Sequence, residues 1–319
     1  MTARKYLVTG GAGFIGSHLA EALLRRGEAV VVLDNFATGR RENLAAALEA
    51  RRPGKPEPMV IEGDVRDPAA VGRAMSGVTH VLHQAALASV PRSIAEPLAS
   101  HEVNATGTLN LLLAAREAGV TRFVYASSSS AYGDSPALPK IETMATSPLS
   151  PYAIAKLTGE HYCRVFSTLY GLETIALRYF NIFGPRQDPN SQYAAVVPRF
   201  LTAAFEGRSP IVYGDGRQSR DFTYIDNAVD ANLKACEAAA GAVGRVYNVA
   251  CGTSATLLEM LAVIETITGK AIHPVHEAGR AGDVRDSLAD ISAARELLGY
   301  APSVEFEEGL RRTAAAMRA

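Results

Sequence analysis

Five short apolar runs recur through the first 126 residues, at 6–9, 30–33, 59–62, 80–83 and 123–126, with amphipathic stretches such as 15–26 and 68–75 between them. A run that is apolar on both faces suits a strand buried on both faces, and parallel neighbours need a helix to cross between them. The alternation predicts an α/β fold with a Rossmann-type, doubly wound parallel sheet. The stretch 53–58, Pro-Gly-Lys-Pro-Glu-Pro, suits neither a helix nor a central strand and marks a surface loop. Longer helices are expected over 99–118 and 152–170. Past Phe180 the pattern is less regular, with helix candidates at 226–239, 256–268, 290–298 and 306–317. The expected division is a dinucleotide-binding domain over 1–180 and a smaller α+β substrate-binding domain over 181–319, some of whose segments return to the first.

Hydrophobic residues make up 48% of the chain and charged residues 20%, which suits a folded protein rather than a disordered one. The net charge is −1, so neither nucleic acid nor an anionic membrane is expected as a partner, and any anion site must be local. Cys163, Cys236 and Cys251 are far apart and odd in number, which fits a reducing cytoplasm and no disulfide framework. His273 and His276 have a proline between them and no acidic or thiol ligand nearby, so they read as surface histidines and no metal is expected. No signal peptide and no membrane span of about 20 apolar residues is expected.

Gly10, Gly13 and Gly16 follow the first apolar run and open the first helix, with Phe14 and Ile15 between the last two. Glycine allows a tight turn, close approach of backbone to a pyrophosphate, and close packing of helix on sheet. The free N–H groups of the helix N-terminus then face the phosphates. Asp34 ends the second run, where a carboxylate accepts from an adenosine ribose and repels a 2′-phosphate. NAD is therefore expected rather than NADP, with Arg40 and Arg41 a few residues on as groups that soften the preference. The P-loop pattern of nucleotide hydrolases is missing. Tyr152 and Lys156 stand one helical turn apart on one face. A nearby cation favours a phenolate, which suits a general base. The pair follows a serine-rich strand end, Ala126-Ser-Ser-Ser-Ser-Ala-Tyr-Gly133.

With these motifs the chain resembles the extended short-chain dehydrogenase/reductase family, in particular its nucleotide-sugar epimerases and dehydratases. The likeness extends to Gly63-Asp-Val-Arg-Asp67, Val103-Asn104, Arg178-Tyr-Phe-Asn-Ile-Phe-Gly-Pro185, Arg220-Asp-Phe-Thr-Tyr224 and Gly282-Asp-Val-Arg-Asp-Ser-Leu-Ala-Asp290. The segment His83-Gln-Ala-Ala-Leu-Ala-Ser-Val-Pro-Arg-Ser93, with Gln187-Asp-Pro-Asn190 and Tyr193-Ala-Ala-Val196, is most similar to bacterial UDP-N-acetylglucosamine 4-epimerases. The resemblance implies Ser128, Tyr152 and Lys156 as the catalytic set. For NAD it implies Asn35, Asp64 and Val65 on the adenosine side, Gln84, Ala85 and Ala86 near the phosphates, Asn104 beside the nicotinamide half, and Lys156 on the nicotinamide ribose. For a UDP-sugar it implies Asn181, Arg220 and Arg280 at the diphosphate and Tyr213 against uracil. Ser89, Ser129, Ala195, Val196, Asp283 and Ser287 complete that set.

Related dehydratases carry an acid and a base where this chain has Ser129 and Ser130, and related decarboxylases carry a glutamate at the second position. Hydroxyls cannot do that acid–base work at neutral pH, which leaves 4-epimerisation through a 4-keto sugar. Small residues at Ser287 and Ala195 leave room for an acetamido group, so UDP-N-acetylglucosamine and UDP-N-acetylgalactosamine are expected substrates, with UDP-glucose and UDP-galactose also turned over. The alternatives are a 4-epimerase for UDP-glucose or UDP-glucuronate, or a non-catalytic NAD-binding sensor or scaffold. Relatives acting on the uronic acid tend to carry threonine where Asn181 stands, and a sensor would break the glycine loop or lose Tyr152 or Lys156. The resemblance also implies a homodimer built on the two long helices.

Overall fold

A computed structural model describes residues 4–188, 195–279 and 284–318. Strands and helices alternate from the start: β1 (Lys5–Thr9), α1 (Phe14–Arg26), β2 (Ala29–Asp34), α2 (Arg41–Leu48), β3 (Met59–Glu62), α3 (Pro68–Met75) and β4 (His80–His83). Then come α4 (Val90–Ala95), α5 (Pro97–His101), α6 (Gly107–Glu117), β5 (Arg122–Ser128), α7 (Pro151–Tyr170) and β6 (Glu173–Tyr179). The remainder holds β7 (Ile182–Phe183), α8 (Val196–Glu206), β8 (Ile211–Tyr213), β9 (Ser219–Arg220), β10 (Thr223–Tyr224), α9 (Ile225–Glu237) and β11 (Arg245–Val249). It ends with β12 (Ala255–Thr256), α10 (Leu257–Thr268), β13 (Val275–Glu277), α11 (Ser292–Leu298) and α12 (Phe306–Arg318).

Seven strands form one sheet in the order β11-β6-β5-β4-β1-β2-β3, and every pairing is parallel. Strand order reverses between β1 and β4, which opens a crevice at the carboxyl ends of the strands, where open α/β sheets bind ligands. The seventh strand, β11, comes from late in the chain, and residues 231–250 and 289–300 pack into the core of the large sheet. A separate apolar cluster joins α8, α10 and α12 to the two-stranded pieces β10-β7 and β13-β8. Aromatic rings organise it: Phe222 stacks on Phe306 at 5.0 Å, and Phe183 meets Tyr224 edge-on at 5.7 Å.

Two expectations need refining. The helix expected over 99–118 is a continuous helical stretch from Pro97 to Glu117, but a π-helical turn, Glu102–Thr106, is set into it between α5 and α6. Extra residues in such turns re-aim side chains, a common device at functional sites. The run 59–62 is a strand, but at the sheet edge, where Met59 is 51% exposed and Val60 40%, so it is not buried on both faces.

Candidate active site

The glycine loop joins β1 to α1. Gly10 has φ +67°, and a Cβ there would collide with the backbone of Ala85 at 2.8 Å. A Cβ on Gly16 would strike the backbone of Gly10. Gly13 caps α1 without any side chain to accept from the first N–H groups, so those donors face the crevice. Phe14 and Ile15 form the first turn of α1 and pack toward the separate apolar cluster. Gly10, Gly13, Asp34, Asn35, Asp64, Val65, Gln84, Ala85 and Ala86 line a single cavity of about 90 Å³. Close-packed glycines, orphan helix N–H groups and a carboxylate at the end of β2 fit a dinucleotide.

Asp34 is buried and accepts from the N–H groups of Ala12 at 2.9 Å and Phe36 at 2.8 Å, which fixes its carboxylate on the cavity wall. Arg40 and Arg41, weighed as softening the preference for NAD, are engaged elsewhere: Arg40 pairs with Asp188 at 2.6 Å and Arg41 with Glu62 at 2.7 Å. Asn35 donates to Asp64 at 2.7 Å. A hydrogen bond from Arg66 leads the interactions that hold the Asp64 carboxyl down to about 2. Gln84 donates to Asn232 and accepts from Tyr179. Asn104 sits in the π-helical turn and clamps Leu87, accepting from its N–H at 3.0 Å and donating to its carbonyl at 3.3 Å. It supports the cofactor loop from behind rather than lining the cavity.

A larger cavity, about 420 Å³, lies at the ends of β5 and β6. Ser128, Ser129, Ser130 and Tyr152 line it together with Asn181, Arg220 and Ser287. The serine run ends β5 in a single 3-10 turn, Ser129–Tyr132, capped by the Ser128 hydroxyl. Ser150 caps α7 and Pro151 starts it, which sets Tyr152 in the first turn. Asn181 takes φ +40°, which asparagine tolerates better than most residues, and donates to the Asp221 carbonyl at 3.1 Å. Arg220 donates to the carbonyls of Ser219 at 2.9 Å and Arg285 at 2.8 Å. Next to it, buried Asp221 accepts from the N–H groups of Cys251 (2.8 Å), Gly252 (3.0 Å) and Ala289 (3.3 Å), and burial pushes its carboxyl up to about 7. Those bonds fix the segment that carries Ser287.

The expected electrostatics of the tyrosine–lysine pair need revision. Burial raises the Tyr152 phenol, and a hydrogen bond with Ser128 works the other way. Burial lowers Lys156 to about 7, and its ammonium donates to the Ala126 carbonyl at 2.8 Å instead of standing beside the phenol. The two residues share a helix face, and the Lys156 ammonium is turned to the end of β5.

Other candidates fall outside the cavities. Ser89 caps α4, accepting from the Arg92 N–H at 3.1 Å, while Val90 and Pro91 after it line the larger cavity. Ala195 caps α8, Val196 begins it, and Tyr213 ends β8, none of them on the wall of the larger cavity. Arg280 and Asp283 lie outside the described residues, as does Tyr193. Sequence reasoning missed Lys140 and Asp286, both on the cavity wall. Lys140 reaches it because its N–H donates to the Leu288 carbonyl at 2.8 Å and its carbonyl accepts from Asp290 at 2.9 Å. Only the pairing of two distant segments brings it there. No cluster of side chains able to hold a metal occurs among the described residues.

The family model for the NAD dependent epimerase/dehydratase family matches residues 6–250. The chain belongs to that family. Its members use NAD, and the cradle described above fits the cofactor. Among curated relatives, the UDP-glucose 4-epimerase of Mycolicibacterium smegmatis is 40% identical over 309 residues, 96% of each chain. Among solved structures, the UDP-N-acetylglucosamine 4-epimerase from Methanobrevibacter ruminantium M1, in complex with UDP-N-acetylmuramic acid, is 39% identical with a TM-score of 0.91. It covers 100% of this chain and 99% of that one. The UDP-glucose 4-epimerase from Thermotoga maritima, with UDP-glucose, is 37% identical with a TM-score of 0.92 and 98% of each chain covered. The epimerase family thus accounts for both cavities, one sized for the cofactor edge and one open for a larger ligand.

Proposed function

We propose that this epimerase-family chain interconverts UDP-N-acetylglucosamine and UDP-N-acetylgalactosamine by inversion at carbon 4, and also turns over UDP-glucose and UDP-galactose. One observation carries the reading: Ser128 and Tyr152 line the same cavity of about 420 Å³ as Asn181, Arg220 and Ser287. Tyr152 takes the proton from the sugar 4-hydroxyl, directly or through Ser128, and returns it. Arg220 and Asn181 hold the diphosphate end, as anionic ligands require of a chain this close to neutral. NAD, when bound, accepts a hydride and gives it back, so turnover is redox-neutral. Ser129 and Ser130 supply no acid or base for elimination, and Ser287 leaves space for an acetamido group. Incubating the protein with each UDP-sugar and separating the epimers tests this. Conversion of the plain hexoses alone would reject the N-acetyl part.

A second reading, turnover of an acidic UDP-sugar, draws support from Lys140, a buried cation on the cavity wall, and UDP-glucuronate belongs in the same assay. The chain is further proposed to act in the cytoplasm as a homodimer. No helix among the described residues is long and apolar enough to cross a membrane. Large apolar side chains lie exposed on α5 and α7, which pack together: Leu98 and Leu169 at 69% each and Ile154 at 53%.

A further inference from the structure

Three successive residues at the end of β5 meet α7. The Ala126 carbonyl accepts from Lys156 at 2.8 Å, the Ser127 hydroxyl donates to Glu160, and Ser128 lines one cavity with Tyr152. The outer two involve the catalytic set. The middle one lies beneath it, and neither Ser127 nor Glu160 lines a cavity.

Glu160 is gripped from its other side by Arg178 of β6, whose Nε and Nη2 donate to Oε1 at 2.8 Å and Oε2 at 2.7 Å. The two side chains are only 3% and 4% exposed. Nη1 of Arg178 is buried without an acceptor, and the guanidinium lies over the Tyr132 ring at 4.5 Å. Desolvating a carboxylate and a guanidinium is costly, and apolar residues of similar volume often leave a protein as stable or more so. Stability alone therefore gives a weak account of this pair. Directed hydrogen bonds do what apolar packing cannot: they fix one offset among β5, α7 and β6. Those three elements carry or lead directly into Ser128, Tyr152 and Asn181.

We propose that Glu160, clamped by Arg178, is a positioning residue that sets the register of α7 on β5 through Ser127, and so the placement of Tyr152 against Ser128. The inference rests on the reading of Tyr152 and Ser128 as the proton-moving pair. Misplacing reacting groups by about 1 Å can cost about 10²-fold in rate.

Two variants test it. Ser127→Ala removes only the tether to the strand and leaves the ion pair intact, and the double variant Glu160→Met with Arg178→Met removes both charges at similar volume. Epimerisation kcat is expected to fall about tenfold in the first and about 10²-fold in the second. KM for the UDP-sugar and affinity for NAD should stay within about threefold of wild type, because neither cavity is lined by the altered residues. A merely structural role would lower the melting temperature and leave kcat per folded molecule unchanged. Ser127→Ala decides the matter if the double variant does not fold. Unchanged kcat in Ser127→Ala, or a rise in KM without a fall in kcat, overturns the inference. Tyr152→Phe serves as control: if it stays active, the reading of the site fails; if it is inactive while Ser127→Ala is not, only the positioning role fails.

Discussion

Burial disfavours the Tyr152 phenolate. On the proposed reading Tyr152 is the base, and its motif holds no substitute. Tyr152→Phe is expected to lower turnover by about 10²–10⁴-fold while NAD still binds, a split that fluorescence titration and an epimer assay measure side by side. Ser287 and Ser128 line the same cavity, and on the proposed reading a phenol at Ser287 would fill the space for an acetamido group. Ser287→Tyr is expected to lower turnover of the acetylated sugars by about 5- to 150-fold and spare the plain hexoses, because overpacking costs about 1–3 kcal/mol only when the extra group is present. Equal treatment of both sugar classes by that variant would remove Ser287 as a gatekeeper.

At the scale of elements, the contact between α7 and β5 governs the site. Gly159 lets the two approach, since a Cβ there would collide with the Tyr125 ring and hydroxyl, which itself donates to the Lys156 carbonyl at 3.2 Å. Gly159→Ala is expected to cost about 1–3 kcal/mol in a urea titration and to reduce turnover as α7 is pushed outward. Much of this architecture could be read in the sequence. The glycine spacing, Asp34 and the apolar runs are local signals, and Gly10, Gly13 and Asp34 line one cavity in the structure. What escaped was non-local. Lys140 and Asp286 reach the cavity through pairing between segments far apart in the chain, and no periodicity announces that. The π-helical turn at Glu102–Thr106 escaped for another reason: it inserts into a sequence whose helical composition is unbroken on both sides. The bond from Lys156 to the Ala126 carbonyl was not legible either, because spacing along a helix gives a shared face but not which way an ammonium turns.

Across the whole molecule, acid sensitivity should be traceable to β4. Burial pushes His80 down to about 4, and burial also holds His83 well below its ordinary value, with Thr9 and Thr108 on its two ring nitrogens. A histidine kept neutral in the fold but not in the unfolded chain lets the unfolded chain take the extra proton. Stability is then complete above about pH 6.5 and is lost as pH falls toward 4, on the order of 3 kcal/mol for His80 alone. Denaturation curves of His80→Gln should show a shallower loss over that window, and an unchanged slope would count against it. The exposed face of α5 and α7 makes a prediction of similar reach: by light scattering the parent chain is expected to run as a dimer, and Leu98→Glu with Leu169→Glu as a monomer.

The late origin of β11 bears on how the protein is made. The sheet is assembled in chain order through β6, yet its outer edge waits for residues 245–249. Until the ribosome has supplied them, β6 presents an unpaired row of backbone groups, the kind of edge that recruits other chains. The intervening residues 180–244 must therefore be synthesised while the larger core is still open on one side. A stop codon placed before residue 245 would leave the sheet one strand short. Birth, for this sheet, ends only when a late stretch of chain has left the ribosome.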